Sequence, residues 1–343
     1  MLLVALGQGA GNIVDGLLSK NKSYNGLFFN SSLSDIKPLK NAHIDKNVYL
    51  YPGTDGSGRD RSKSKEMIKD NANAVGTLLR KFPQTEVLVV FTSMAGGTGS
   101  GAVKTFIQIA SAAIPATKIN VVAILPSLQE DQLSFTNAIE CWNDINSVIN
   151  LINDIKFVDN NKRNTYKEVN NEVVESLDLS YNLMGIHIDG NIDKKDSFRI
   201  NTADGAGLVL KLYDGLKDAQ TAVDLAIKNS VFAQPDIYEC DYLGINVKID
   251  GYDPNEIAKC FEVYKSTYMT YNNTFNTVVL GGCEIPTESI KSIKIALDDK
   301  NKRKQSRDRR KSIIIDFDDN MEQKPQNTES SLYESDDLEF SFE

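Results

Sequence analysis

The chain has 343 residues, of which 41% are apolar and 25% are charged, and its formal net charge at pH 7 is −9. We expect one large or two moderate soluble domains and no membrane segment, because no apolar run approaches the ~18 residues of a span. The first residues lack the basic flank and cleavage site of a signal peptide. With two histidines and four widely spaced cysteines, the sequence predicts a reduced, cytoplasmic chain without a zinc site.

The first predicted element is a buried strand at residues 2–6, which a glycine-rich turn joins to a helix. The turn, residues 7–12, has the sequence Gly-Gln-Gly-Ala-Gly-Asn. A turn of this kind at a helix N-terminus is typical of a phosphate site, because free N–H groups and the helix dipole favour an anion. A dinucleotide-binding G-x-G-x-x-G motif requires glycine at position 12, where this chain has Asn12.

Two further strands are predicted at residues 26–29 and 48–51. The first ends at Asn30 and Ser31, and the second ends at a glycine-rich loop over residues 52–60. We expect a helix over residues 62–81 after this loop.

Three cations, Arg59, Arg61 and Lys63, lie in or just after the glycine-rich loop over residues 52–60. Their positive charges suit contacts with phosphates, and they suit a solvated charged surface equally well. The sequence leaves both interpretations open.

The central motif lies at residues 93–104, with the sequence Ser-Met-Ala-Gly-Gly-Thr-Gly-Ser-Gly-Ala-Val-Lys. A continuous apolar run at residues 87–91 precedes it, as expected of a parallel strand buried on both faces, and an amphipathic helix follows. Its glycines allow positive φ and close approach of the backbone to a ligand. A flexible linker is the alternative, but a linker would not be embedded between two apolar elements.

Another strand at residues 119–125 stops at Pro126, and a helix through about residue 145 and a strand at 148–152 follow. This alternation predicts a doubly wound parallel sheet with its ligand at the carboxyl edge. Several phosphate-type loops on one edge indicate a nucleotide.

A P-loop motif, G-x-x-x-x-G-K-[ST], does not occur in the chain. The pair of loops at residues 7–12 and 96–101 instead resembles the tubulin/FtsZ superfamily, and the resemblance extends over most of residues 1–285. It implies GTP as substrate and GDP as product, with Mg²⁺ held mainly through the phosphates. Asn30 and Ser31 are similar to the family's Asn-Thr, while the family's next aspartate is Ser32 here.

The resemblance also implies residues for the ribose and the base. Pro126 and Glu130 keep the family's spacing, in which the glutamate contacts ribose, whereas the arginine expected four residues later is Ser134. Asn153 resembles the family's reader of the guanine edge, and Tyr166 and Asn170, one helical turn apart, resemble its stacking aromatic and its hydrogen-bonding amide. Ordinary polar roles are the alternative for these asparagines. The nucleotide-site candidates are Gly7, Gln8, Gly9, Ala10, Gly11, Asn12, Asn30, Ser31, Gly53, Thr54, Asp55, Gly56, Ala95, Gly96, Gly97, Thr98, Gly99, Ser100, Gly101, Pro126, Glu130, Asn153, Tyr166 and Asn170.

A long helix over residues 164–188 resembles the central helix of the family, and we expect His187 to be a core residue on it. The segment after it matches the family's Asn-x-Asp-x-x-Asp at Asn191, Asp193 and Asp196. The resemblance implies that these residues catalyse hydrolysis on a neighbouring subunit's nucleotide. A solvated turn is the alternative.

The second half of the chain predicts a smaller mixed sheet. Its strands are expected at residues 207–213, 243–249 and 277–280, with helices near 220–230 and 255–267. The predicted organisation is a GTP-binding domain at 1–162, a central helix at 163–190, a smaller domain at 191–286, a basic helix at 287–311 and an acidic tail at 312–343.

Charge is concentrated at the C-terminal end. Residues 300–311 contain eight basic residues and one acidic residue, whereas residues 312–343 contain ten acidic residues and one basic residue. We expect the tail to be disordered when free. This end of the chain resembles the plasmid- and phage-encoded TubZ branch of the superfamily.

That resemblance implies a GTPase that polymerises head to tail and segregates plasmid or phage DNA. The acidic tail would bind a DNA-binding adaptor, so that the protein contacts DNA only indirectly. A division-type or other tubulin-like filament without an adaptor is the second hypothesis. A dinucleotide-dependent oxidoreductase is the third, and Asn12 disfavours it.

Overall fold

The computed structural model describes residues 1–53, 55–235 and 238–311, with side chains up to residue 307. Residues 1–302 form one compact unit, which contains every site described below. The helices are α1 (Gln8–Lys20), α2 (Leu33–Ile36), α3 (Arg61–Asp70), α4 (Ala72–Leu79), α5 (Thr98–Ala113), α6 (Gln132–Asn146), α7 (Tyr166–Tyr181), α8 (Lys194–Asn201), α9 (Ala219–Asn229), α10 (Pro254–Ala258) and α11 (Thr287–Lys311). The strands are β1 (Leu2–Leu6), β2 (Asn25–Asn30), β3 (Val48–Leu50), β4 (Val87–Ser93), β5 (Lys118–Leu125), β6 (Asp154–Asp159), β7 (Gly185–His187), β8 (Gly190–Ile192), β9 (Gly205–Lys211), β10 (Glu239–Lys248), β11 (Glu262–Asn272) and β12 (Thr277–Cys283).

Ten strands form one sheet in the order β11-β10-β12-β9-β6-β5-β4-β1-β2-β3. All neighbouring strands from β3 to β9 are parallel, and β12 runs antiparallel between β9 and β10. The predicted α/β fold with a mostly parallel sheet is therefore confirmed. The order of connection switches sides at β1, because the chain runs from β1 through β2 to β3 and then crosses to β4 on the other side of β1. Such a switch point places a crevice at the carboxyl edge, which is where open α/β sheets bind ligands.

Both faces of the parallel strands are buried, which explains their continuous apolar sequences. Alternate residues of β1 enter two different cores: Leu3 packs on the side of α1 and α7, and Val4 packs on the side of α5 and α6. Each fully buried side chain of this size contributes ~1.5–3 kcal/mol to folding. Helices on both faces thus hold the strands in register and fix the loops at their carboxyl ends.

The second half of the sheet joins the first through β9 and β6. Their ladder contains only two residue pairs, Asp154 with Gly205 and Ile155 with Ala206. The strands of the predicted smaller domain therefore extend the same sheet. Residues 1–302 form a single compact unit. The proposed domain boundaries within it remain a prediction.

Two local predictions in the first half are wrong. The helix expected at 62–81 is divided into α3 and α4 at Asn71, whose side-chain amide donates to the Met67 carbonyl and competes with the helix backbone. The strand expected at 148–152 is a 3₁₀ turn, Ile149–Leu151, and the strand is β6 instead. Parallel pairing with β5 begins only at Asp154, opposite Asn120.

The predicted central helix is shorter than expected. Helix α7 ends at Tyr181, and the chain then forms a hairpin from β7 and β8. His187 is therefore not on the helix: it is a partly exposed residue of β7 whose ring lies 4.7 Å from that of Tyr271.

The helix expected at 255–267 is also wrong. Only α10 is helical there, and the 11 residues of β11 form the edge strand of the sheet. The sequence of β11 contains three tyrosines and two threonines, which favour a pleated, half-exposed strand. Helix α11 agrees with the predicted basic helix, whereas the acidic tail at 312–343 lies outside the described residues. None of the helices in the described ranges has the length and apolarity that a bilayer crossing needs.

Candidate functional site

A cavity of about 730 Å³ lies at the carboxyl ends of β1, β2, β4, β5 and β6. Its walls come from the loops that the sequence singled out, so their backbone atoms converge in space. The predicted residues that line it are Gly7, Gln8, Gly9, Asn12, Ser31, Gly56, Ala95, Gly96, Gly97, Thr98, Gly99, Glu130, Tyr166 and Asn170.

Other predicted residues belong to the same loops or strand ends without lining this cavity. Gly53 and Asp55 lie in the loop after β3, and Thr54 is outside the described residues. The remaining members of this group are Ala10, Gly11, Asn30, Ser100, Gly101 and Pro126.

Helices α1 and α5 both begin at the cavity, and both begin without a side-chain cap. Their N-cap residues are Gly7 and Gly97, neither first turn contains an acidic residue, and no side chain accepts from their first N–H groups. In contrast, aspartates cap α3, α6, α8, α9 and α10. Two uncapped helix ends that open into one cavity form a site for an anion, since their N–H groups and dipoles need a negative partner.

The two phosphate-type loops are in backbone contact at Gly7 and Gly99. Gly7 has a φ of 81°, and a Cβ at this position would lie 3.2 Å from the Gly99 nitrogen. A Cβ at Gly99 would collide with the Leu6 carbonyl oxygen and lie 2.9 Å from Thr92 Oγ1. Glycine is required at both positions because any side chain would separate the loops that form the cavity.

Residues 56–59 form a third wall, which we call the cover loop. A Cβ on Gly97 would come within 2.6 Å of the Arg59 backbone, so the cover loop lies directly on the central glycine motif. Asn137 on α6 connects the two segments, because its side-chain amide donates to the carbonyls of Arg59 (3.1 Å), Ala95 (3.1 Å) and Gly96 (3.3 Å).

Hydroxyl groups link the loops across the cavity floor. Ser31 Oγ lies 2.9 Å from Thr98 Oγ1, which in turn donates to Ser57 Oγ at 3.2 Å. Buried Asn30 holds the start of this chain, because its Oδ1 accepts from the backbone N–H groups of Ser31 (2.7 Å) and Ser32 (3.2 Å). Asn30 therefore fixes the backbone of the loop after β2 from a buried position.

One end of the cavity has the polar and aromatic groups expected for a nucleoside. The Tyr166 hydroxyl donates to Glu130 Oε1 at 3.1 Å, and the tyrosine is 53% exposed. Burial and the nearby Glu130 carboxylate raise the pKa of Tyr166, so its hydroxyl keeps its proton at neutral pH. Asn170 follows on α7 one turn later, and Asn160 lies opposite at the end of β6.

The structure contradicts the assignment of Asn153 as the guanine reader. Asn153 precedes β6, so it lies at the amino edge of the sheet, away from the cavity. Its side chain accepts from the Ile119 N–H at 3.2 Å and donates to Asp204 at 3.0 Å. The asparagine at the carboxyl end of the same strand is Asn160, which does line the cavity.

Asn191, Asp193 and Asp196 also lie at the amino edge. Asp193 caps α8 by accepting from the N–H groups of Lys195 (2.7 Å) and Asp196 (2.9 Å), and Asp196 accepts from the Asp193 N–H at 3.2 Å. These backbone donors lower the pKa of the Asp193 carboxyl below its ordinary value.

An exposed ion pair locates α8 at the amino edge. Lys194, in the first turn of α8, lies 2.6 Å from Glu86, which immediately precedes β4. The cavity begins at the other end of β4, and seven residues at ~3.3 Å each separate the two edges by roughly 20 Å. The acidic pair therefore does not reach the cavity of its own subunit.

Several cavity residues were missed or left open at the level of sequence. Asn160 was missed because the end of β6 was misplaced, and Ser57 and Asn137 act through tertiary contacts that no local pattern records. A second cavity, of about 870 Å³, lies among residues 214–220 and 248–260. Two of its lysines are paired with carboxylates, Lys248 with Asp214 at 2.5 Å and Lys259 with Glu256 at 2.6 Å, and we assign this cavity no ligand.

The geometry agrees with comparisons to known proteins. A family model described as Tubulin/FtsZ family, GTPase domain, matches residues 1–165. The tubulin-like protein TubZ of Clostridium botulinum C phage is 30% identical over 320 residues, which cover 92% of this chain and 88% of that protein.

Solved structures show the same similarity. The tail-truncated TubZ of Clostridium botulinum phage c-st superposes with a TM-score of 0.81 at 30% identity, covering 88% of this chain and 98% of that chain. A GTPγS-form protofilament of Bacillus thuringiensis serovar israelensis TubZ has a TM-score of 0.75 at 15% identity, covering 91% and 94%, and shares the fold.

Proposed function

The chain belongs to the tubulin/FtsZ family, and on that premise we propose that it is a filament-forming GTPase that hydrolyses GTP between adjacent subunits. The observation that carries the proposal is the separation of the two functional groups to opposite edges of one sheet. An anion-binding cavity lies at the carboxyl edge, and an acidic pair lies at the amino edge. Neither is a complete hydrolytic site by itself.

We assign the polyphosphate to the uncapped starts of α1 and α5. Backbone N–H groups of the loops at residues 7–12 and 95–101 donate to phosphate oxygens, and Thr98 adds a hydroxyl. Glu130 faces the ribose, Tyr166 stacks on the base, and Asn170 and Asn160 offer the paired donors and acceptors that guanine needs.

Mg²⁺ is assigned to the phosphates rather than to a cluster of protein ligands. Within the described ranges, no three His, Cys, Asp or Glu side chains are arranged to hold an ion. The hydroxyls of Ser31 and Ser32 and the carboxylate of Asp35 line the cavity, and such oxygen groups suit a hydrated, phosphate-bound Mg²⁺. When bound, the ion neutralises charge on the transferring phosphoryl group.

Hydrolysis needs a group that orients water for in-line attack on the γ-phosphate. Among the described residues that line this cavity, Glu130 accepts from Tyr166, Asp131 accepts from Arg59, and we assign Asp35 to the hydrated ion, so we look for this group on the next subunit. Head-to-tail stacking brings Asp193 and Asp196 of one subunit over the cavity of the next. Asp193 and Asp196 form one capping box, in which Asp193 accepts two backbone N–H groups and Asp196 accepts one, so we assign the water-orienting role to Asp196, with Asn191 on β8 as a second polar group. Phosphoryl transfer depends mainly on such positioning and charge neutralisation.

A contact between unlike edges is heterologous and does not close on itself, so repeated stacking gives an open filament. We propose that assembly activates hydrolysis and that loss of the γ-phosphate weakens the contact. The TubZ similarity supports a role in segregating plasmid or phage DNA in a prokaryotic cytoplasm, with the acidic tail binding a DNA-binding adaptor. A tubulin-like filament without an adaptor is the alternative.

The test is sedimentation of the full-length chain with Mg²⁺ and GTP, ATP or NAD. We expect pelleting and phosphate release with GTP alone, above a threshold protein concentration. Equal pelleting with ATP would refute the guanine assignment. Recruitment to DNA only in the presence of the adaptor separates the partition role from the filament without an adaptor.

A further inference from the structure

The cover loop contains an unusual residue, Arg59. Its φ is 64°, and among the described residues it is the one non-glycine residue with a positive φ. Side chains rarely adopt this conformation, and such strain persists only where surrounding contacts enforce it and is concentrated at functional sites. Here the Asn137 amide enforces it by binding the Arg59 carbonyl and the carbonyls of the central glycine motif together.

Arg59 is also distinguished by its charge. Among the described residues that line the cavity, Arg59 is the single cation. Three carboxyl groups line the same space: Asp35, Glu130 and Asp131. Backbone N–H groups are dipoles without net charge, so a polyphosphate in this cavity has one full positive charge available from side chains.

The guanidinium is held beside the cavity by α6. Its two terminal nitrogens donate to Asp131 at 2.6 and 2.9 Å, and one of them also donates to Ser134 Oγ. The same Arg59 donors lower the pKa of the Asp131 carboxyl well below its ordinary range, which keeps that group ionised. Because a guanidinium has five N–H donors and these bonds use three, two donors remain for a phosphate oxygen.

From these observations we infer that Arg59 is a nucleotide-binding residue whose guanidinium contacts the phosphate chain, positioned for this role by Asp131 and Ser134. The inference rests on the proposed function and deepens it. It also accounts for Ser134, where the family resemblance led us to expect an arginine: the cation reaches the same place from a different loop. The positive φ at Arg59 is then the backbone conformation in which its guanidinium reaches Asp131 and Ser134 at the side of the cavity.

An alternative role for Arg59 is purely structural, as a link between the cover loop and α6. Exposed ion pairs contribute little to stability, and here the arginine and aspartate side chains are 41% and 59% exposed. If Arg59 is only a structural link, replacing Arg59 and replacing Asp131 should lower nucleotide affinity equally. If Arg59 binds phosphate, replacing Arg59 should lower it more.

We propose measuring GDP affinity by calorimetry for the full-length chain and three variants. Arg59→Gln removes the charge at similar length, and Arg59→Gly removes it while suiting the positive φ, so the second variant avoids the strain. Both are expected to bind GDP at least tenfold more weakly, which corresponds to about 1.4 kcal/mol. Asp131→Asn keeps a good helix cap and one acceptor oxygen for the guanidinium, and it removes a negative charge from the cavity, so its loss of GDP affinity should be smaller than that of either Arg59 variant.

Guanosine, measured by displacement of labelled GDP, is the matched ligand without phosphates. Its affinity should change less than twofold in the Arg59 variants. Wild-type GDP affinity in both variants, an equal loss for guanosine and GDP, or a loss in Asp131→Asn as large as in Arg59→Gln would each overturn the inference. Failure of the wild type to bind GDP would instead refute the proposed function, so the two failures are distinguishable.

Discussion

Replacing Asp196 with asparagine should abolish GTP hydrolysis without preventing assembly. The Asp196 carboxylate makes two contacts. One oxygen accepts from the Asp193 N–H at 3.2 Å, and the other lies 3.4 Å from Arg199 Nη1. An asparagine keeps an acceptor for the backbone bond and loses the negative charge. Asp196→Asn therefore separates the catalytic role from the capping role, which Asp196→Ala would not.

The expected magnitudes of the two roles differ enough to be measured apart. Loss of an exposed helix cap costs ~0.5–2 kcal/mol of folding stability, and Asp196→Asn should lose less than that because the bond is retained. Loss of a group that positions and accepts a proton from the attacking water lowers rates by about 10²–10⁴, equivalent to roughly 3–5 kcal/mol in the barrier. We therefore expect filaments of normal or longer lifetime with almost no phosphate release.

The assay is phosphate release and sedimentation on the same samples across a range of protein concentrations. Asp204→Asn is the matched control, since Asp204 is an exposed carboxylate on the same edge of the sheet that bonds Asn153 instead of α8. Turnover at the wild-type rate in Asp196→Asn, particularly with a loss in Asp204→Asn, would transfer the role to another carboxylate. Equal turnover per subunit below and above the assembly threshold would refute the shared site itself.

Three other outcomes follow from the structure. Tyr166→Ala should weaken GTP binding by the ~1–3 kcal/mol of base stacking on an aromatic ring, whereas Tyr166→Phe, which loses only the bond to Glu130, should cost about 1 kcal/mol; calorimetry with GDP compares them. Gly99→Ala should abolish nucleotide binding and lower the melting temperature by several degrees, because its Cβ collides with the Leu6 carbonyl, and a thermal melt with and without GDP measures both effects. Removing residues 312–343 should leave GTP hydrolysis largely intact and prevent recruitment to adaptor-bound DNA, which a mobility shift would detect.

The parallel half of the fold and the anion cavity were predictable because each buried strand is a continuous apolar run, and the loop that follows it is polar or rich in glycine. A run such as residues 87–91 is apolar throughout because both faces of the strand are covered, and the glycines after it include positions where a Cβ would collide with neighbouring loops, as at Gly97 and Gly99. The residues that we propose for base recognition were less predictable. A shift of the strand assignment from β6 to 148–152 moved the expected reader from Asn160 to Asn153, at the opposite edge of the sheet.

The second half of the chain was harder to predict because its edge strand is only partly buried. Strand β11 mixes Glu262 and Lys265 with tyrosines and threonines, so neither a period of two nor a period of 3.6 dominates. Charged residues on an edge strand also protect the sheet from pairing with other chains, which dilutes the apolar pattern further. The contacts of Arg59 are equally invisible in sequence, because Asp131 is 72 residues away.

The placement of the cavity and the acidic pair on opposite edges determines how many working sites a filament has. A row of n subunits joined through unlike edges contains n − 1 junctions, so under the proposed mechanism one cavity at one end always waits without a partner. Isolated subunits have no complete site, a pair shares one, and turnover per subunit approaches its maximum only in long rows. Each bound nucleotide can then be hydrolysed only after the next subunit has added, so the subunits that added first are the first to contain GDP.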